Sequence, residues 1–422
     1  SAISTICASG SFGVSFGGSA TVVINLISNT VLAYITDAEA VSAGNLYILA
    51  ESQNATNSYA GSVGGGAVGI GAAVIVNVLN NTTKAFIISS SVDALGNGNA
   101  LTIPLWDEDG NRAVPDQEVN GLVIIAYNKE AVTIYSGSAG IGLAGASGQV
   151  STNIITNITE AYIGSSGINK DTDKGKWVVL RAVQDTGIQI YAGSIAAGGA
   201  AVGGAVDATY ITNETRAYIR DSEVYAGNGV EVTAITGLRP ISADKPAIIV
   251  AGASLSAMFS LAGAVSVVVT ENTNEAYIRS SDIYSLGSIK VLSSHNINME
   301  VYGGTVAGSG FIGAGGTVAV SSFKNISRAE IRGSELNAAG AIEIKARSRD
   351  MISVKVGTAG IGVTGAGVAG AISVILTETT TEASVISDGD IKSKINQDLR
   401  FRSGGIYAPV NGSTQTILIQ AD

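Results

Sequence analysis

Apolar and polar positions alternate strictly over short stretches throughout the chain, as in Val230-Glu231-Val232-Thr233-Ala234, Ile289-Lys290-Val291 and Ile342-Glu343-Ile344-Lys345-Ala346. A period of two predicts β-strands with one buried and one wet face. In the first stretch it places Val230, Val232 and Ala234 inward and Glu231 and Thr233 outward, so Glu231→Thr is expected to change stability by roughly 0.5 kcal/mol or less. Gly, Asn, Ser and Asp occupy the turns between strands, as at Gly227-Asn228-Gly229 and Ala339-Gly340. No stretch sustains the i, i+3, i+4 pattern of a helix.

The strands belong to a larger repeat. An alanine, then an aromatic or polar residue, then a β-branched one recurs seven times, at Ala33, Ala85, Ala161, Ala217, Ala276, Ala329 and Ala383. The steps are 52, 76, 56, 59, 53 and 54 residues, a period that means a repeat architecture. The expectation is an all-β, elongated β-solenoid over residues 1–385, with about three coils of roughly 18 residues per module of 52–59. About 23 such coils at ~4.8 Å each would make a rod on the order of 110 Å long. Residues 386–422, where the pattern fades, are expected to form a cap or a joint between subunits.

Four residues before the anchor stands Asn29, Asn81, Asn157, Asn213, Asn272 or Asn325, with Thr379 in the last module. Asparagine tolerates the left-handed conformation and bonds its own backbone, which suggests a corner residue. Four of these, Asn81, Asn157, Asn213 and Asn325, also sit in N-x-[ST] glycosylation sequons. Their fixed phase in the repeat favours geometry over sugar.

Composition fits a thin, tightly stacked body: 54 glycines, 5% aromatic residues and only five prolines. Charge is segregated. Residues 1–36, 52–83, 131–159, 186–206, 247–270, 301–323 and 356–377 contain no Asp, Glu, Lys or Arg. One such run, Ala247 to Thr270, is long and apolar enough to imitate a membrane span. Its recurrence in every module, loaded with Gly and Ser, argues instead for pairs of uncharged coils alternating with a charged one. Such surfaces invite self-association, end to end or side to side. The net charge of −10 gives no footprint for nucleic acid and disfavours anionic membranes. Cys7 alone forms no intrachain disulfide, and a start at Ser1 within a module suggests a chain cut from a longer polypeptide.

The long 76-residue step holds an insertion at about 96–130. Within it Asp107, Asp109 and Asn111 are candidate oxygen ligands for Ca²⁺, against a solvated loop that breaks the solenoid surface. Asn169 to Lys176 and Arg239 to Lys245 look like smaller excursions. Catalysis is not expected. No cofactor motif is present, the only histidine, His295, reads as a surface residue, and Trp106 and Trp177 read as loop anchors rather than sugar platforms.

The phrase Asn157-Ile158-Thr159-Glu160-Ala161-Tyr162-Ile163, the stretch Val224-Tyr225-Ala226-Gly227-Asn228-Gly229-Val230-Glu231-Val232 and the stretch Gly263-Ala264-Val265-Ser266-Val267 together resemble the repeats of bacterial filamentous adhesins, closest to the leukotoxin-like filamentous adhesin family. The resemblance runs from about residue 10 to 385. It implies an extracellular right-handed β-helix, export by a two-partner or autotransporter route, and a role in attachment to a host or neighbouring-cell receptor or glycan. A structural subunit of a sheath, surface layer or extracellular fibre is the alternative, and a polysaccharide-active β-helix enzyme a remote one.

Overall fold

The computed structural model describes residues 2–107, 112–170, 176–389, 392–395, 400–403, 406–409 and 416–422. Among them strands dominate and there is no helix. The main sheet and a smaller one are built from parallel pairs, and every parallel pairing joins a residue to its counterpart one whole repeat away. Ala33 pairs with Ala85, Ala85 with Ala161, Ala161 with Ala217, Ala217 with Ala276, Ala276 with Ala329 and Ala329 with Ala383. One repeat is therefore one rung of the stack. The expected three coils per module are corrected to one, because the parallel neighbour of each strand residue is its equivalent in the adjacent module, never a residue of its own module.

A single rung is a long, flattened loop. In the second one, Leu46–Ile88 runs out along a first layer, reverses at Gly66-Ala67 and returns along a second layer. Ser91–Ala94 then closes the base in the smaller sheet. The layers face each other: Ser58 donates to Asn77 at 2.9 Å and Asn54 to Asn81 at 3.2 Å across the interior. They converge at the reversal, where a Cβ on Gly64 would meet the Ile70 carbonyl oxygen at 1.9 Å, so only glycine fits. Seven rungs at ~4.8 Å stack to roughly 34 Å, while 20 residues at ~3.3 Å make each layer roughly 65 Å deep. The body is thus a plate and not the long thin rod that short coils would build. Lys394–Ile395 and Ile417–Ala421 take the next places beside Glu335-Leu336 and Ile342–Ala346 in the two sheets.

At the base the interior is apolar. Ala85, Ile87, Val92 and Ala94 stack on Ala161, Ile163 and Ile168, and so on through the stack. The anchor alanines of the middle rungs are fully buried, each small enough to let the layers close over it. Burial of each Ile or Val in this column contributes about 1.5–3 kcal/mol. The chain leaves this core through a left-handed residue four places after the anchor: Asp37, Ser89, Ser165, Asp221, Ser280 or Gly333, with φ between 48° and 54°. Next comes a serine in most rungs. Ser166 accepts a hydrogen bond from the Ser90 amide at 3.1 Å and donates to the Gly164 carbonyl at 2.7 Å, and Ser222, Ser281 and Ser334 repeat the pattern.

These are the corners, and the asparagines are not among them. Asn81, Asn157, Asn213, Asn272 and Asn325 lie mid-strand and buried, and each amide donates to the next at 2.8–3.0 Å from Asn81 through Asn272. Asn29 joins the same column through Asn81 at 3.1 Å. An amide that both donates and accepts can satisfy itself against an identical amide in the next rung. The corner assignment is corrected for that reason. Burial also overturns glycosylation at the four sequons, since no glycan fits between the layers.

The excursion in the long step is a hairpin, with Leu101–Trp106 antiparallel to Arg112–Val119. It ends before Leu122, which pairs with Leu46 in register. The hairpin covers the outer face of the first layer rather than standing in solvent. Ile103, Trp106 and Val119 pack on Val123, Ile125, Val179 and Val183. Arg181, 2% exposed, donates to both Glu231 oxygens at 2.7 and 2.9 Å and to the Pro104 carbonyl at 2.9 Å. Val230, Val232 and Ala234 do face inward. Glu231 faces outward but beneath the hairpin, so the expectation of a near-neutral Glu231→Thr is corrected: removing one member of such a buried pair costs about 3–5 kcal/mol. The excursion at 241–247 is a loop opposite a single residue, Gln189, of the preceding rung.

Substitution of Asn213 tests the ladder. Asn213→Leu strands the donor of Asn157 and the acceptor of Asn272 and is expected to cost about 3 kcal/mol in urea denaturation, against about 0.5 kcal/mol or less for Thr212→Ala on the outer face. Equal costs at the two positions contradict the interior ladder.

Candidate binding surfaces and the interior polar column

Three arrangements place chemistry-bearing side chains together: a polar column inside the plate, a laddered face outside its base, and a groove along the first layer. The inner column holds the buried titratable groups. Glu130 and Asp350 occupy the position held by Asn54 and Thr186 in other rungs, opposite the asparagine ladder. Asn81 donates to Glu130 at 2.7 Å and Asn325 to Asp350 at 3.1 Å. Burial pushes the Glu130 carboxyl up to about 7 against these hydrogen bonds. The same cause raises Asp207 to about 7, although Thr209 donates to it at 3.0 Å.

His295 also belongs here, and its assignment to the surface is corrected. Its side chain is fully buried, 3.2 Å from Asp350 through Nε2 and 3.4 Å from Ser348 Oγ through Nδ1. Burial would raise Asp350, but the bonds from His295, Thr379 and Asn325 hold its carboxyl below the usual range. Serine, histidine and aspartate thus meet in space, yet the histidine is closed off between the layers and no substrate can lie beside it. The arrangement completes the polar column rather than forming a nucleophilic site.

Outside the base, residues flanking the anchors form two ladders. Tyr34, Phe86, Tyr162, Tyr218 and Tyr277 stack face to face with ring centroids 4.7–5.1 Å apart. One position before the anchor the charge alternates from rung to rung: Lys84–Glu160 at 2.8 Å, Glu160–Arg216 at 3.4 Å, Arg216–Glu275 at 3.1 Å, Glu275–Arg328 at 3.0 Å and Arg328–Glu382 at 3.2 Å. In-register stacking would set like charges side by side, and alternation of sign removes that repulsion. Glu330 interrupts the aromatic column after Tyr277, opening a cleft of about 310 Å³ among Arg216, Arg279, Arg328 and Arg332. These arginines already pair with Glu275, Asp388, Glu382 and Glu330. The cleft can therefore hold a polar ligand only by exchanging those pairs.

The groove of about 750 Å³ along the first layer is lined by Gly137, Gly193, Gly304 and Gly357 in one column, beside Ile195 and Val306. A Cβ at Gly357 would meet nothing within 4 Å, so the fold does not require glycine there. The groove offers backbone and apolar side chains and no charged group. It suits a flat, uncharged partner and no acid–base chemistry.

Of the calcium candidates, Asp107 is exposed, while Asp109 and Asn111 lie outside the described residues. Among the described residues no group of three or more His, Cys, Asp or Glu side chains could hold a metal ion. Trp106 is buried against Tyr127 and Trp177 packs beside the same cluster, both as anchors of the hairpin region. Cys7 is exposed and free. The asparagine column and the serine corners were the features that sequence reasoning misplaced or missed. A signal existed for both: Asn stands an even number of residues from the inward anchor alanine, and serine recurs five residues after it.

No family model, curated protein or solved structure matches this chain.

The two raised carboxyls generate a pH dependence. The unfolded chain ionises Glu130 near 4.5 and Asp207 near 3.8, while the folded chain keeps both protonated up to about 7. Their contribution therefore weakens the fold progressively as pH rises from the unfolded toward the folded values, and fully above them. Glu130→Gln is expected to gain on the order of 3 kcal/mol relative to the unsubstituted chain between pH 4 and pH 8. Urea denaturation at both pH values checks this, and an unchanged difference contradicts it.

Proposed function

We propose that the chain is a non-catalytic, extracellular repeat scaffold: a β-solenoid, wound as a right-handed β-helix, that forms a rigid adhesin-like surface structure and mediates attachment to a host or neighbouring cell. The observation that carries this reading is the in-register stacking of whole repeats. Adding a repeat lengthens such a body without altering its cross-section, which is the requirement for a projecting stalk. The resemblance of the N-x-[ST]-x-A-Y-I phrase to filamentous adhesin repeats supports the same reading. Outward ladders repeated along the stack supply many equivalent contact points for a receptor or glycan, and a net charge of −10 argues against nucleic acid. No helix of the described residues is long and apolar enough to cross a membrane.

The charge-free half of each rung favours a second reading, a self-assembling subunit of a sheath, surface layer or fibre. All the uncharged runs stack on one another, so they form one continuous region rather than bands along the length, correcting the expected alternation of uncharged and charged coils. Beads coated with the purified chain are expected to adhere to cells in proportion to coating density while the free chain sediments as a monomer. Polymer formation without adhesion supports the structural subunit, and a monomer that binds no cell contradicts both.

A further inference from the structure

The polarity of the plate inverts halfway along its depth. At the base, apolar residues face inward and charged ones outward. Toward the reversal the second layer does the opposite. Val74, Val150, Val206, Val265 and Val318 form one outward row, while the neighbouring inward row carries Ile75, Ser151, Asp207, Ser266 and Ala319, polar at its three middle members. Some inward polar groups bond within the edge, as Ser260 does with the Ser254 carbonyl at 2.7 Å and Thr317 with Thr305 at 3.2 Å, while the buried hydroxyls of Ser147, Ser266 and Ser321 have no partner. Apolar side chains continue around the edge: Leu143 is 76% exposed, Met258 54% and Phe311 51%. Ile195 and Val306 then carry the surface onto the first layer. Soluble monomers rarely leave contiguous apolar surface open, and here it continues across two faces and the edge between them.

Its limits identify what covers it. On the second layer the apolar rows end at Val78, Ile154 and Tyr210, and the next row is Asn80, Thr156, Thr212, Glu271 and Lys324. On the first layer they end at Tyr59, Tyr135, Tyr191 and Tyr302. Measured from the reversal at Gly66-Ala67 at ~3.3 Å per residue, these borders lie roughly 36 and 23 Å deep, bracketing the ~30 Å thickness of a bilayer's hydrocarbon. Tyrosine at the border is the residue favoured where hydrocarbon meets water. Backbone at the edge is bonded from rung to rung, with Ala67 donating to Val14 at 3.1 Å and Gly310 to Ser256 at 3.2 Å, as hydrocarbon demands, while Phe16–Thr36 and Ala366–Ile386 in the outermost rungs pair on one side only. A second copy could cover one flat face, but not both faces and the edge at once.

We infer that the charge-free edge enters the hydrocarbon of an uncharged lipid bilayer, leaving the charged base in water. This deepens the attachment reading by naming the surface touched, and it rests on surface polarity rather than on cell binding. The test is flotation of the full chain with phosphatidylcholine vesicles at low salt and at high salt. The chain is expected to float at both, because burial of apolar surface is not screened. A triple variant, Leu143→Asp, Ile195→Asp and Met258→Asp, is expected to float at least tenfold less, and Arg220→Asp at the base as the unsubstituted chain does. Matching β-sheet spectra and melting curves show that all variants fold. A chain that stays below the vesicles, or a triple variant that floats equally well, overturns the inference even if coated beads still bind cells. Lipid-free dimers that the triple variant abolishes, with no flotation, assign the edge to a second copy and overturn it as well.

Discussion

The structure depends on each residue standing directly beside its own counterpart one repeat away. Parallel strands at ~4.8 Å make that contact unavoidable, so a residue must be compatible with a copy or near-copy of itself. Alanine, isoleucine and valine meet the condition by packing, asparagine by being donor and acceptor at once, and tyrosine by offset stacking. Charged residues meet it only against repulsion: the column from Lys84 to Glu382 answers with alternating sign, whereas Glu223, Asp282 and Glu335 stand in direct register, and burial together with their repulsion raises the Asp282 carboxyl. The repetitive sequence is in this sense the consequence of one spacing.

The same constraint explains where the repeat relaxes. The asparagine ladder at Asn77 and Asn153 gives way to Thr209 and then Val268, and the carboxyls of Glu130 and Asp207 interrupt columns of neutral groups. A rung tolerates such exchanges when the interior partner can donate or accept across the gap, as Asn81 and Thr209 do. Excursions are confined to the first layer's outer side and its turns, where the hairpin at 101–119 and the loop at 241–247 leave the pairings on either side in register.

Much of this was legible in the sequence. The strands, the absence of helix, the anchor alanines and the facing of Val230 and Val232 follow from alternation and period alone. The number of turns per repeat was misjudged because a module can be divided on paper into three short coils, whereas self-similarity appears only at the full step from one anchor alanine to the next, and that step is itself the rung. Asn157 reads as a turn residue by type. Its even distance from Ala161 places it on the same inward face, a stronger signal than its propensity. Glu231 and His295 were misjudged for a different reason. Both are covered by segments remote in sequence, the hairpin for one and the opposing layer for the other; no local pattern records the hairpin over Glu231, whereas the even distance of His295 from Val291 did place it inward.

Stacking at one whole repeat is tested most directly by engineered disulfides. With Cys7 replaced by serine, Tyr162→Cys with Tyr218→Cys sets two cysteines on adjacent strands in direct register, within the Cα separation of about 4.4–6.8 Å that a disulfide spans. Tyr162→Cys with Leu180→Cys separates them by one short coil's length of sequence, so that three coils per module would bring them together. The account predicts rapid, near-complete crosslinking of the first pair within the monomer and none of the second. Crosslinking of the second pair in preference to the first would contradict it.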